Sequence, residues 1–402
     1  MQAGHEARQR PGFLRPGFLR PRGGQASVTN IELFFDLVFA YAITDLAGGL
    51  AKAAGPAGVA QQAVLFLAVW WVWICTAWVT NWLDPARTPV RLLLLGLTLA
   101  GLVMAGALPG AFGTGGAVFA CAFVAMQLGR TLFMLWALGS DSPANTRNFQ
   151  RILCWMGLAA VFWLAGGVAG GGLRFALWGV AITVEYVGAW TGFYVPRLGA
   201  TNAREWDVEG GHMAERCSQF VIIALGEAVL ASGAHFTATG ARAATILALL
   251  AGFASSAAMW WLYFDTGAER ASARIAQSKE PGPLARLAFT YLHIPIVAGI
   301  VVAAVANALV LMDPSATAGG ATWAILGGPA LYLAGCLAFK TVIERRPPLS
   351  HMIGLALIGL LNAWGEGFTA LTLAVLAAVA LIVAAVWETR ALHSRKKPAR
   401  AL

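Results

Sequence analysis

Three carboxylates lie inside one stretch apolar enough to cross a bilayer. Residues 29–50, TNIELFFDLVFAYAITDLAGGL, carry Glu32, Asp36 and Asp45. A carboxylate at mid-bilayer costs about 2.5–3.5 kcal/mol on insertion scales, so three unrelieved ones would cost roughly 10 kcal/mol, comparable to a protein's whole net stability. Each must pair with a cation, face water or hold a proton, which makes all three candidates for an ion or proton path. Glu32 and Asp36 are four residues apart and share one helix face near its start. Asp45 lies on the opposite face, about 13 Å further along. For Glu32 and Asp36 the structural alternative is a partnership with Arg216 or with loop cations.

A second set of charges falls between residues 213 and 233. Neighbours on a helix point about 100° apart, so Glu215 and Arg216 pair poorly with each other. Arg216 is expected to reach another helix, with Glu32 or Asp36 as the acid, as a structural bolt. Glu227 lies about 18 Å beyond Glu215 and follows Gly226, which lets another backbone come close. It is the strongest single candidate for an ion or proton site. Arg130 and Glu185 read as counter-ions of each other. His293 precedes Pro295, whose ring removes a helix bond and frees a carbonyl near Tyr291. It joins the path candidates, with a hydrogen-bonded core histidine as the alternative. His212 and Glu215 have metal-compatible spacing, but no second ligand pair accompanies them. No hydrolase elbow, P-loop, zinc-protease helix or dinucleotide fingerprint is present. No catalytic residue, metal or cofactor is expected. Asp84 and Asp265 close helices and are expected to meet loop arginines.

The elements that carry these residues are membrane helices. The chain has 402 residues, 58% hydrophobic and 12% charged, with a mean hydropathy of +0.68. That composition belongs to an all-α polytopic membrane protein. Twelve segments suit spanning helices, at roughly 29–50, 59–82, 90–108, 117–138, 149–167, 174–193, 213–233, 243–264, 287–311, 322–341, 350–365 and 367–390. With the N-terminus inside, 23 of the 28 Lys and Arg fall on the cytoplasmic side and three, Lys52, Arg174 and Arg242, outside. Such a split predicts both termini inside. The net charge of +9 is then a property of loops facing anionic lipid and points away from nucleic acid. The five cysteines form no CxxC pair and read as packing residues.

The second half echoes the first. Asp45 follows Glu32 as Glu227 follows Glu215, and each next segment is tryptophan-rich and ends in Asp84 or Asp265. This predicts two six-helix repeats of the same orientation: residues 29–197 and 213–390, joined by a cytoplasmic loop at 198–212. A basic tail, 391–402, closes the chain. Residues 1–28, with a tandem PGFLR at 11–20, read as a disordered cytoplasmic tail.

Glu32-Leu33-Phe34-Phe35-Asp36, His212-Met213-Ala214-Glu215-Arg216, Ala224-Leu225-Gly226-Glu227, Trp260-Trp261-Leu262-Tyr263-Phe264-Asp265 and Tyr291-Leu292-His293-Ile294-Pro295 resemble the bacterial low-temperature-requirement A family. The resemblance spans about residues 28–390 and implies a multi-pass inner-membrane protein. Phe35-Asp36, Phe39-Ala40 and Ala42-Ile43-Thr44 are also similar to the Phe-Ser-Asp signature of the endolysosomal potassium channel family, with Phe35 in place of Ser and Gln219 where the second Asp would align. The resulting expectation is a transporter or channel for a proton, a monovalent cation or a small solute. An intramembrane lipid-modifying enzyme and a membrane scaffold or sensor are the rivals. Membrane lipid is an expected partner, and a homo-oligomer is compatible with the sequence.

Overall fold

Proline and glycine set the helix ends. Pro56 and Pro89 sit in first turns, where a missing N–H costs nothing. Gly139 and Gly240, both at positive φ, stop helices after Leu138 and Thr239. At the first helix, Glu32 reaches back to accept the Thr29 N–H and hydroxyl, at 2.9 and 2.8 Å. A residue expected only to carry charge therefore also caps its own helix.

The computed structural model describes residues 17–20, 27–139, 143–201, 208–265, 273–275, 277–278, 281–365 and 367–395. Among these there are twelve long helices and no strand beyond isolated bridges. They are α1 (Asn30–Ala51), α2 (Gly55–Trp82), α3 (Thr88–Gly106), α4 (Gly116–Leu138), α5 (Pro143–Val168), α6 (Gly171–Trp190), α7 (Gly210–Thr239), α8 (Ala243–Phe264), α9 (Pro281–Met312), α10 (Thr322–Glu344), α11 (Leu349–Trp364) and α12 (Ala370–Arg395). Ten are long and apolar enough to cross a membrane, and α6 and α11 are not among them. The 16 residues of α11 span about 24 Å, short of a hydrocarbon core of about 30 Å. Glu366, expected in the turn after it, and Trp206 and Asp207 of the central loop lie outside the described residues.

Helix α1 packs on α2, α3, α7 and α9. In the first half α3 packs on α4, α4 on α5 and α5 on α6, and α6 touches α2. In the second half α7 packs on α8 and α9, α9 on α10, α10 on α11 and α11 on α12, and α12 returns to α8. The α9–α10 contact is a backbone approach: a Cβ on Gly328 would lie 2.7 Å from the Ala303 nitrogen. Trp70 and Trp73 of α2 meet Phe220 of α7 at 5.4 and 4.3 Å between ring centroids, so the α2 tryptophans form core between the halves.

The segment 17–20 departs from the expectation of a disordered tail. Leu19 and Leu83 form an antiparallel bridge, and Phe18 is buried among Val79, Trp82, Val90, Met134 and Phe149. Phe18 and Trp136 also stack at 5.0 Å. The second PGFLR copy therefore straps the start of the bundle. The aromatic burial and backbone pairing offset the ordering entropy that composition alone predicts will keep such a tail loose.

Candidate functional site

Parallel packing of α1 and α7 builds a layer of buried charge. His212 Nε2 lies 2.9 Å from Glu32, and Arg216 donates to Asp36 at 2.6 and 2.8 Å. Both contacts join residues 180 apart, and Phe39 meets Phe220 one turn further on. A constant separation requires the two helices to run the same way, in register. Asp36 also accepts the Trp73 indole N–H at 2.8 Å, and Arg216 lies over that indole ring, 5.4 Å from its centroid. Asp36 and Arg216 are both 0% exposed.

Glu32 takes four hydrogen-bond contacts from three residues. Besides Thr29 and His212 it accepts from Arg20 at 3.0 Å. Arg20 in turn donates to the carbonyls of Thr80 and Leu83. Asn81 meets His212 Nδ1 and Arg20 meets its Nε2, each at 3.2 Å, so the ring is held from both nitrogens. The strap, α1, α2 and α7 thus share one network.

This geometry reassigns several residues. Asp36 and Glu32, expected along a path, sit in dry partnerships with Arg216, Arg20 and His212. The structural alternative describes them, because a guanidinium already neutralises each and no solvent reaches either. His293 leaves the path set too. Its Nε2 meets the Tyr263 hydroxyl and its Nδ1 the Ala288 carbonyl, each at 2.8 Å, so neither ring nitrogen remains for an ion. The freed carbonyls near Pro295 arise where Arg286–Tyr291 winds as a π-helix. Trp70 donates to the Thr290 carbonyl at 2.9 Å. Glu215 is exposed, accepting the Val28 N–H at 3.1 Å, and is not a partner of Arg216. Arg130 and Glu185 do not touch. Gln127 bridges them, accepting from Arg130 and donating to Glu185 at 3.2 Å, because its amide offers one acceptor and one donor end. Asp84 does meet Arg87, at 3.5 Å, whereas Asp265 accepts from Thr389.

Asp45 and Glu227 differ from the other acids. They lie at nearly equal distances along the parallel α1 and α7, beyond the charged layer. Both are half-buried, and neither forms an ion pair among the described residues. Asp45 has the Tyr41 hydroxyl beside it, and its Oδ2 has no hydrogen-bond partner.

Sequence reasoning missed a second buried charge cluster. Lys340 of α10 donates to Glu388 of α12 at 3.2 Å and to the Leu262 carbonyl at 2.8 Å. Ser350 donates to the other Glu388 oxygen and lies 3.1 Å from His351. A cation on the fourth helix of each half and an acid on the sixth, Arg130 with Glu185 and Lys340 with Glu388, was the available signal. Both Lys340 and Glu388 lie close enough to helix ends to read as loop-facing.

A model of the bacterial low temperature requirement A protein family matches residues 27–386. An uncharacterised protein of Rhizobium meliloti (strain 1021) is 41% identical over 372 residues, covering 92% of this chain and 90% of that one. No solved structure matches. The matched region contains every helix of the charged layer and nearly the whole bundle, so the chain belongs to the bacterial low temperature requirement A family.

Proposed function

We propose that this chain is a transport protein or channel that moves an ion or small solute across the bacterial inner membrane. It would have twelve crossings in two six-helix repeats of like orientation. The observation that carries the reading is the pair of half-buried carboxylates, Asp45 and Glu227, which form no ion pair among the described residues and lie at matching depth on parallel helices. Acids that stay unpaired at such depth are expensive in lipid and are kept where something hydrophilic or a proton reaches them. In this reading Asp36, Arg216, Glu32 and His212 seal the cytoplasmic end of the α1–α7 junction, and Asp45 and Glu227 exchange the proton or cation beyond it.

Parity supports the twelve crossings. Parallel α1 and α7 need an even number of crossings between them, and α1–α5 supply five, so α6 must cross as well. The same neighbour order in both halves supports the repeat. In the second half α12 ends beside the end of α8, where Thr389 bonds Asp265 and Trp261. This supports α12 ending on the side where α7 begins. Membrane lipid surrounds the bundle, and the substrate is a proton, a monovalent cation or a small solute. A sensor reading draws on one specific feature: the strap, α1, α2 and α7 form a single hydrogen-bonded unit that a signal on the tail could release.

The test is labelling in proteoliposomes with a hydrophobic carbodiimide, which modifies protonated carboxyl groups reached from lipid. Glu227 and Asp45 should be modified before Asp36 and Glu32, and protein-dependent flux should stop as they are. Full flux after complete labelling of both would refute the reading.

A further inference from the structure

Between α2, α4, α5, α6 and α9 the bundle encloses a cavity of about 60 Å³, room for roughly two to four waters. Its lining runs from Trp82 and Arg286, near the ends of α2 and α9 on the side where α1 and α7 begin, to Cys75 and Arg130. Seven residues of α2 separate Trp82 from Cys75, a depth of about 11 Å. Most of the wall is aromatic or aliphatic, with Trp71, Ile152 and Met156 prominent.

The charged groups lining it are of one sign. Arg130 and Arg286 both face the cavity, and among the described residues no carboxylate does. Arg130 donates to the Thr76 hydroxyl at 2.9 Å, the Val72 carbonyl at 3.3 Å and the Gln127 side chain. A guanidinium has five N–H groups, so three neutral acceptors leave it charged and incompletely occupied. Glu185 stands behind Gln127, which donates to it. Arg286 is half-buried and donates to no acceptor among the described residues. Trp71 adds a buried indole N–H without a hydrogen-bond partner.

Two cations and an unused donor surround one small space, and among the described residues no acid lines it; Glu185 reaches Arg130 only through Gln127. Buried charges are normally paired. We propose that this cavity binds a small monovalent anion, between a halide and a short carboxylate in size, entering past Arg286 from the cytoplasmic side. The low-polarity walls set the valence: they cannot replace the hydration shell of a dianion such as sulfate, whereas a weakly hydrated monoanion loses less on entry. The proposal rests on the transport reading for its physiological use. Binding is read on solubilised protein, so a flux result does not decide it.

The experiment is thermal unfolding of the full-length detergent-solubilised protein, titrated with sodium chloride, nitrate or acetate against gluconate at constant ionic strength. At least one of the three should raise the melting temperature saturably. A response to chloride assigns a halide site and a response to acetate a carboxylate site. Arg286→Gln should weaken the apparent affinity about tenfold or more, the usual effect of losing one charged hydrogen bond. Arg286→Lys should retain most of the response. Ile152→Trp, which fills the space without altering charge, should abolish it. The absence of a saturable response beyond gluconate, or a response that Arg286→Gln and Ile152→Trp both leave unchanged, overturns the proposal.

Discussion

Asp36→Asn removes one charge of the buried pair and leaves Arg216 in place. Asp36 accepts two N–H groups from Arg216 and one from Trp73, and neither Asp36 nor Arg216 meets solvent. Breaking a buried pair from one side costs about 3–5 kcal/mol, because the surviving charge is left uncompensated. An amide keeps one acceptor oxygen but turns an N–H2 donor toward a guanidinium that is itself all donor. The expected loss for Asp36→Asn is therefore about 3–5 kcal/mol, and Arg216→Met should lose a similar amount. The double variant removes both charges and leaves no stranded ion, and the amide oxygen at position 36 can still accept the Trp73 N–H. Its stability should lie within about 1–2 kcal/mol of wild type, giving a coupling energy of at least about 3 kcal/mol in a double-mutant cycle. The assay is reversible unfolding in mixed micelles of rising SDS fraction, followed by circular dichroism. A single-variant loss below about 1 kcal/mol, or two losses that simply add, would refute the sealed pair.

Three further outcomes follow from the same geometry. Phe18→Ala should free the strap, and hydrogen exchange should then speed up at the Arg20 and Asp84 amides, which bond to the Trp82 and Phe18 carbonyls; unchanged protection would contradict the docked strap. Lys340→Met should destabilise by about 3 kcal/mol by stranding Glu388, and adding Glu388→Gln should recover most of it in the same micelle assay. His293→Phe breaks the contacts to Tyr263 and Ala288, so stability should fall by about 1–3 kcal/mol while flux stays within twofold of wild type. A tenfold fall in flux at unchanged stability would return His293 to the path.

Much of the charged layer was legible because its residue types are out of place. An arginine at position 216 in an apolar helix must find an acid, and Glu32 and Asp36 were the acids in reach. Which of the two it chose was not legible, since i and i+4 share a face. The answer came from Arg20, a tail residue that took Glu32 together with His212. The tail itself was unreadable as structure: glycine, proline and arginine predict disorder, and only the partner surface at Val79, Trp82 and Leu83 orders it. Gln127 escaped notice because an uncharged amide inside a helix gives no signal until its two neighbours are known. Glu388 and Lys340 escaped for the reverse reason, as charges close enough to helix ends to look solvated. The twelve-segment reading came from apolar length and was supported by charge asymmetry, which is indifferent to how apolar a span is. Helix α6 carries both Arg174 and Glu185, and composition alone does not pick it out. Its Arg174 folds back onto the carbonyls of Gly166 and Ala169 at the end of α5, where a helix C-terminus favours a cation.

Charge movement across a solid-supported membrane, triggered by a pH or ion step, tests transport most directly. Liposomes containing the wild-type protein should give a transient current that empty liposomes lack, and the Asp45→Asn, Glu227→Gln double variant should abolish it while Lys340→Met, Glu388→Gln keeps it. Wild-type currents indistinguishable from those of empty liposomes under every ion tested, or undiminished currents in the Asp45 and Glu227 double variant, would contradict the account.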